Sequence, residues 1–77
     1  MGKLPRPTGK EMLRFLERQE FVCVRITGSH HHLEKGHLRC PVPVHKNDSL
    51  KMGTFRNILR MIKMKPEEFE RLWSGPK

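Results

Sequence analysis

Histidine is the residue type that carries most of the possible chemistry in this sequence. Three histidines stand in a row at His30, His31 and His32, and His37 and His45 follow them. An imidazole has an unperturbed pKa of about 6.5, so it takes up or releases a proton near neutral pH. In RNA cleavage, a base removes the 2′-hydroxyl proton and an acid protonates the leaving 5′ oxygen. The triplet is therefore a candidate site for acid–base catalysis.

The spacing of the histidines gives little support to a metal site. Consecutive residues on a strand point to opposite faces, so His30 and His32 can converge while His31 cannot. A zinc site needs three or four convergent ligands, and no acidic or cysteine residue is well placed to join these two. We therefore predict no metal and no cofactor. The spacing alone leaves two readings open, a catalytic histidine or a solvated strand whose histidines do no chemistry.

Length and charge narrow the class of protein. The chain has 77 residues, with 16 Lys and Arg against 8 Asp and Glu, for a net charge of +8. This length allows one small domain, and this charge attracts polyanions, nucleic acid first and acidic proteins or anionic membrane surfaces next. No apolar run is long enough to span a membrane. Cys23 and Cys40 form no disulfide framework, so we expect reduced thiols and a cytoplasmic protein.

Three short antiparallel strands are predicted in the middle of the chain. Val22, Val24 and Ile26 alternate with other residues up to Thr27, which is typical of a half-buried strand. A turn containing glycine separates it from a return strand over residues 30–34. A second turn containing glycine separates the return strand from a third strand. Alternating apolar residues mark this third strand, and two prolines restrict it to a sheet edge or limit its pairing: Leu38, Cys40, Val42 and Val44, with Pro41 and Pro43 between them.

Helical patterns flank these strands. Thr8 and Glu11 have the spacing of a capping box, which predicts a helix from about residue 8 to about residue 19. A short helix opens at Pro66, because proline suits the first helical turn. Between them lies an amphipathic helix with apolar residues at i, i+3, i+4 and i+7: Phe55, Ile58, Leu59 and Ile62.

The order of these elements predicts the fold. Helix, three strands, helix and a short C-terminal helix form an α+β sandwich, with a three-stranded antiparallel sheet and helices on one face. This is the α-β-β-β-α topology of a double-stranded-RNA-binding domain. We expect a single domain over residues 8–73, with flexible ends at 1–7 and 74–77. Either Ser49 or the Gly53-Thr54 pair marks the start of the second helix.

Several segments in sequence order resemble the HicA family of toxins, also described as YcfA-like mRNA interferases. They are the Gly-Ser-His turn at residues 28–30, the "VPVH" segment at 42–45 and the "LKMGTFRNILR" segment at 50–60. The resemblance covers roughly Thr8 to Ile62. It implies a double-stranded-RNA-binding-like fold, an endoribonuclease that cuts mRNA without the ribosome, and a HicB-type antitoxin as partner. We expect the free chain to be a monomer.

The resemblance also implies which residues form the site. The family's catalytic histidine lies on the second strand just after the glycine turn, which corresponds to His30. His31 is the runner-up, because some family members carry the histidine one residue later. His32 shares a strand face with His30 and can assist it.

The remaining site residues follow from the turn and from the charge pattern. Arg25 and Arg39 are expected on the open face of the sheet, opposite Val24 and Leu38. Gly28 and Gly53 are expected to be structural turn residues. The predicted RNA contacts combine cations with polar groups near the glycine turn and the third strand: Arg25, Ser29, His32, Arg39, His45, Lys46 and Lys51.

Two other functions are compatible with the same sequence. A non-catalytic RNA-binding module would show salt-dependent binding without cleavage. A protein-interaction adaptor would use its charge on an acidic partner and show no RNA affinity at moderate salt.

Overall fold

The computed structural model of the chain describes residues 5–73. The predicted flexible ends fall largely on residues 1–4 and 74–77, which lie outside the described part. The elements follow the predicted order: α1 (Gly9–Arg18), β1 (Val22–Thr27), β2 (His30–Lys35), β3 (Leu38–Pro43), α2 (Met52–Met61) and α3 (Pro66–Trp73).

The three strands form one antiparallel sheet in the order β1-β2-β3. Leu33 of β2 lies opposite Cys40 of β3, and both side chains are buried beneath the helices. The residues that alternate with these buried ones along each strand lie on the other side of the sheet, which we call the open face. Helices on one side of a three-stranded sheet give the α+β architecture that the sequence predicted, and the double-stranded-RNA-binding-like topology agrees with it.

The predicted capping box starts α1. The Thr8 hydroxyl accepts a hydrogen bond from the Glu11 backbone N–H at 3.1 Å, and the Thr8 N–H donates to Glu11 Oε1 at 2.9 Å. Two of the four unpaired amide groups of the first turn are thereby satisfied. The cap places α1 so that Met12, Phe15 and Leu16 are fully buried.

Replacing Thr8 with alanine is expected to destabilise the fold measurably. Loss of the cap costs about 1 kcal/mol, which lowers the melting temperature of a domain this size by about 4–8 °C. Thermal unfolding followed by circular dichroism measures this change. Lys10→Ala, at an exposed position of the same helix, is the control and should change the melting temperature little; equal losses in both variants would contradict the cap's role.

The core lies between the sheet and all three helices. Phe69 of α3 is fully buried, and its ring centroid lies 4.6 Å from that of Phe15 and 4.9 Å from that of Phe55. Trp73 stacks on Phe69 at 5.3 Å, covering the edge of the core. The C-terminal helix is therefore an integral part of the core. The buried hydrophobic residues come from every helix, from β2 and β3, and from the segments next to them: Met12, Phe15, Leu16, Phe21, Leu33, Cys40, Val42, Leu50, Phe55, Ile58, Leu59, Ile62 and Phe69.

The prediction that β1 is half-buried is wrong. Val22, Val24 and Ile26 are 62%, 52% and 58% exposed, and every residue of the strand is exposed. The pairing register shifts between Cys23 and Arg25, so Val24 has no partner on β2 and forms a bulge. The helices contact the sheet mainly at β3. As a result, β1 lies at the far edge of the sheet and has apolar residues without a cover.

The two prolines of β3 do not shorten its pairing. All six residues of β3 pair with β2, from Leu38 opposite Lys35 to Pro43 opposite His30. The Val44 N–H donates to the Ser29 carbonyl at 2.7 Å, toward β2. Because successive N–H groups of a strand point in opposite directions, the nitrogen atoms of residues 41 and 43 point to the outer edge. The predicted edge position of β3 is confirmed.

The start of α2 differs from both predicted positions. The helix begins at Met52 with Lys51 as its N-cap residue, and no side chain caps it. Ser49 lies before the helix in an isolated bridge with Thr8, and the Leu50 N–H donates to the Pro7 carbonyl at 2.8 Å. The N-terminal segment thus fixes the loop ahead of α2, a long-range contact that the local sequence does not reveal.

Candidate functional site

The turn between β1 and β2 forms one side of the candidate site. Gly28 has a φ of +60°, as predicted, which suits glycine because a side chain there is strained. Ser29 follows it, and its hydroxyl oxygen lies 3.4 Å from Nε2 of His45. The hydrogen bond from Val44 to the Ser29 carbonyl holds the end of β3 against this turn. Residues 29 and 45, distant in sequence, therefore meet beside the histidine triplet.

The three consecutive histidines are divided between the two faces of the sheet. His31 lies opposite Ile26 and Val42, on the same side as the buried Leu33, and is half-buried. His30 and His32 lie on the open face, where His30 is exposed and His32 is half-buried. His30 and His32 therefore share the open face, and His31 lies on the face that carries the helices.

His30 borders two hollows that lie along α2. The first, the Asn57 hollow, is formed with Pro41, Pro43 and the exposed side of α2. The second, the Lys51 hollow, is formed with the loop before α2 and with the first turn of that helix. His30 therefore lies where the sheet meets the N-terminal end of α2. Besides His30 and the prolines, the Asn57 hollow is lined by Gly53, Thr54, Asn57, Ile58, Arg60 and Met61. The Lys51 hollow is lined by His45, Asp48, Ser49, Leu50, Lys51 and Thr54.

A third hollow lies on the open face, and we call it the Arg25 hollow. Arg25, His32 and Arg39 line it together with Glu34. Arg39 Nε lies 3.4 Å from Glu34 Oε2, at an exposed position. The predicted open-face positions of Arg25 and Arg39 agree with this arrangement. Val24, the bulged residue of β1, also lines the hollow.

Cys40 lines the Arg25 hollow from below but does not act there as a nucleophile. Burial raises the pKa of the Cys40 thiol to about 11. At neutral pH the thiol is therefore protonated, and the thiolate is the reactive form. Cys23 is exposed on β1, and neither cysteine is in a disulfide.

The other predicted site residues do not all converge. Lys46 is exposed in the loop after β3 and does not line any of the three hollows. Gly53 lies in the first turn of α2 with open space around its Cα, so its predicted role as a turn residue is wrong. His37 lies in the β2–β3 turn, at the opposite end of β2 from His30.

Of two residues near His30, Asn57 carried no signal in the sequence, and Thr54 was noted only as part of a candidate helix start. Thr54 borders both hollows beside His30, and Asn57 borders one of them. On a helical wheel they belong to the polar side of α2, which normally faces solvent. Only the packing of α2 along β3 brings them to the histidine.

The described residues do not assemble a metal site or a membrane span. Within residues 5–73, no group of three His, Cys, Asp or Glu side chains lies close enough to hold a metal ion. Over the same range, no helix combines the length and the apolar character that crossing a bilayer requires.

The fold and the open face define the class of this protein. It is a small α+β domain with double-stranded-RNA-binding-like topology, and cationic and histidine side chains lie on its uncovered sheet face. Residues 9–64 match the family model of the HicA toxins of bacterial toxin–antitoxin systems, and the chain belongs to this family. A search of curated proteins gave no match. Helix α3 lies beyond the matched residues.

Proposed function

We propose that this chain is a metal-independent endoribonuclease that cleaves mRNA without the ribosome and is neutralised by a HicB-type antitoxin. Membership of a toxin family supports the biological role. The position of His30 is the observation that carries the chemical role. It is an exposed histidine on the open face, and it borders both the Asn57 hollow and the Lys51 hollow.

His30 is proposed as the catalytic residue because an imidazole side chain can serve as a general acid or base and that of His30 is exposed on the open face. The 2′-hydroxyl oxygen of RNA attacks the adjacent phosphorus, and its proton passes to a base. The bond to the 5′ oxygen breaks, and that oxygen takes a proton from an acid. The products are a 2′,3′-cyclic phosphate and a 5′-hydroxyl. His30 serves one of these two proton transfers, and His45 or water is available for the other.

The neighbours of His30 suit the charge that develops on phosphorus. Lys51 borders the Lys51 hollow with His30, and the backbone N–H groups of the first turn of α2 lie at the same end of the helix. A cation and the positive end of a helix dipole both stabilise an oxyanion. Ser29, in contact with His45, is proposed to orient that ring or to bind a phosphate oxygen.

The Arg25 hollow is proposed as the binding region for flanking phosphates. Arg25, Arg39 and His32 line it on the same open face as His30. Lys46 is proposed to add a contact from the loop after β3. Phosphate contacts make the affinity strongly dependent on salt, because RNA binding releases condensed counterions.

An RNA cleavage assay tests the proposed function. Purified chain, a monomer when free under this proposal, is incubated with a long single-stranded RNA in the presence and absence of EDTA. We expect cleavage that EDTA does not change, and cyclic-phosphate ends on the products. A short RNA with one ribonucleotide among deoxyribonucleotides should be cut only after that ribonucleotide, and an all-deoxy strand should remain intact.

The alternative outcomes of this assay identify other functions. A folded chain that binds RNA with steep salt dependence but does not cut it is a binding module. Cleavage that EDTA removes would contradict the metal-independent mechanism. A chain with no RNA affinity at moderate salt would be an adaptor for an acidic protein.

A further inference from the structure

Strand β1 is an edge strand without a cover. It pairs only with β2, and every residue of Val22–Thr27 is exposed. Three of the four large hydrophobic side chains that are exposed within residues 5–73 belong to this strand, namely Val22, Val24 and Ile26, and the fourth is Leu72. Apolar side chains and free backbone groups together form what we call the β1 edge.

The β1 edge lacks most of the features that normally protect a sheet edge. Such edges usually contain lysine or proline, or are covered by another element. The β1 sequence has neither residue. The opposite edge of the sheet is protected, because Pro41 and Pro43 offer no N–H there and Gly9 at the start of α1 packs against Pro43. The fold therefore leaves one edge available for pairing with another strand.

We propose that the β1 edge binds an extended segment of the antitoxin partner, apolar and acidic, which adds a fourth strand to the sheet. This proposal rests on the proposed function for the identity of the partner. In such pairing, main-chain hydrogen bonds supply affinity and alternate side chains supply specificity. The exposed valine and isoleucine side chains of β1 suit apolar residues of the added strand.

Charge favours an acidic segment over a second copy of this chain. Arg25 is the only charged residue of β1, and the nearest acidic residue on β2, Glu34, is already paired with Arg39. Two copies would bring together two chains of net charge +8, with an arginine on each strand that has no ion pair within residues 5–73. The bulge at Val24 also makes the edge irregular, which disfavours self-pairing more than pairing with a strand of matching shape.

An added strand at this edge would also affect the open face. Arg25 belongs to β1 and also lines the Arg25 hollow with His32. A carboxylate on the added strand can pair with Arg25 and so compete with an RNA phosphate at the same guanidinium group. Binding at the β1 edge and RNA binding should therefore exclude each other.

The test uses an eight-residue peptide in which glutamate and threonine alternate with valine, and its counterpart with lysine in place of glutamate. Binding to the full chain is measured by NMR titration and amide hydrogen exchange. We expect the glutamate peptide to protect amides within residues 22–27 and the lysine peptide not to bind. Ile26→Lys should weaken binding at least tenfold. Leu72→Lys, at an exposed apolar position of α3, is the matched control and should leave binding unchanged.

Other results would overturn the proposal. Equal binding of both peptides, protection outside β1, or no binding to the folded chain would each contradict it. A concentration-dependent dimer that Ile26→Lys dissociates would indicate a second copy as the occupant. RNA cleavage measured on the same samples separates the two proposals: a chain that binds the glutamate peptide at β1 but does not cut RNA overturns the proposed function and supports the edge site.

Discussion

Replacing His30 with alanine is expected to lower the rate of RNA cleavage by about 10²–10⁴-fold, the usual contribution of a positioned acid or base. The inhibition of growth expected on expression of the chain should disappear together with the cleavage activity. His30 is exposed on the open face, so its removal deprives the reaction of a proton-transfer group without opening the core. The rate is measured on an RNA containing a single cleavable linkage, and circular dichroism checks that the variant is folded.

His31→Ala is the matched control for this experiment. His31 lies opposite Val42 on the side of the sheet that carries the helices, so cleavage should remain within a few-fold of the wild type. Loss of activity in His31→Ala with retention in His30→Ala would assign the catalysis to His31. If both single variants cleaved RNA normally, the assignment to this pair would be wrong.

Replacing Phe69 with alanine is expected to give the largest loss of stability. Phe69 is fully buried between Phe15 and Phe55 and stacks against Trp73. Truncating a buried phenylalanine costs about 3–5 kcal/mol, a large part of the roughly 5–15 kcal/mol that stabilises a domain. The melting temperature should fall by about 12–40 °C, because each kcal/mol shifts it by about 4–8 °C in a domain this size.

Leu72→Ala on the same helix is the control for this prediction. Leu72 is 38% exposed, so its truncation should cost much less than that of Phe69. Urea unfolding of both variants gives the free energies of unfolding directly. Similar small losses in both variants would mean that α3 docks weakly, and the description of α3 as part of the core would be wrong.

Local interactions explain which features were predictable from the sequence. The capping box of Thr8 and Glu11 acts within one helical turn, and the glycine turn at Gly28 depends on the φ of a single residue. Hydrophobic periodicity predicted the helices and strands because it reflects the geometry of each element by itself. The order of these elements then predicted the α+β fold.

The candidate site was predictable in part for the same reason. Alternation along β2 separated His31 from His30 and His32, since it needs only the pleat of one strand. The open-face position of Arg39 followed from the same alternation along β3. Asn57 was missed because it reaches His30 only through the packing of α2 along β3.

The sequence by itself determined the element order, the helix cap, the turns and the separation of the histidines between two strand faces, since these depend on neighbours within a few residues. The tertiary structure alone decided that β1 remains uncovered and that α2 starts at Met52. It also decided that His30 meets the start of α2. These features depend on where distant elements pack. An alternating strand reads the same in sequence whether or not a helix covers it, so only the assembled fold distinguishes a buried strand from an exposed edge.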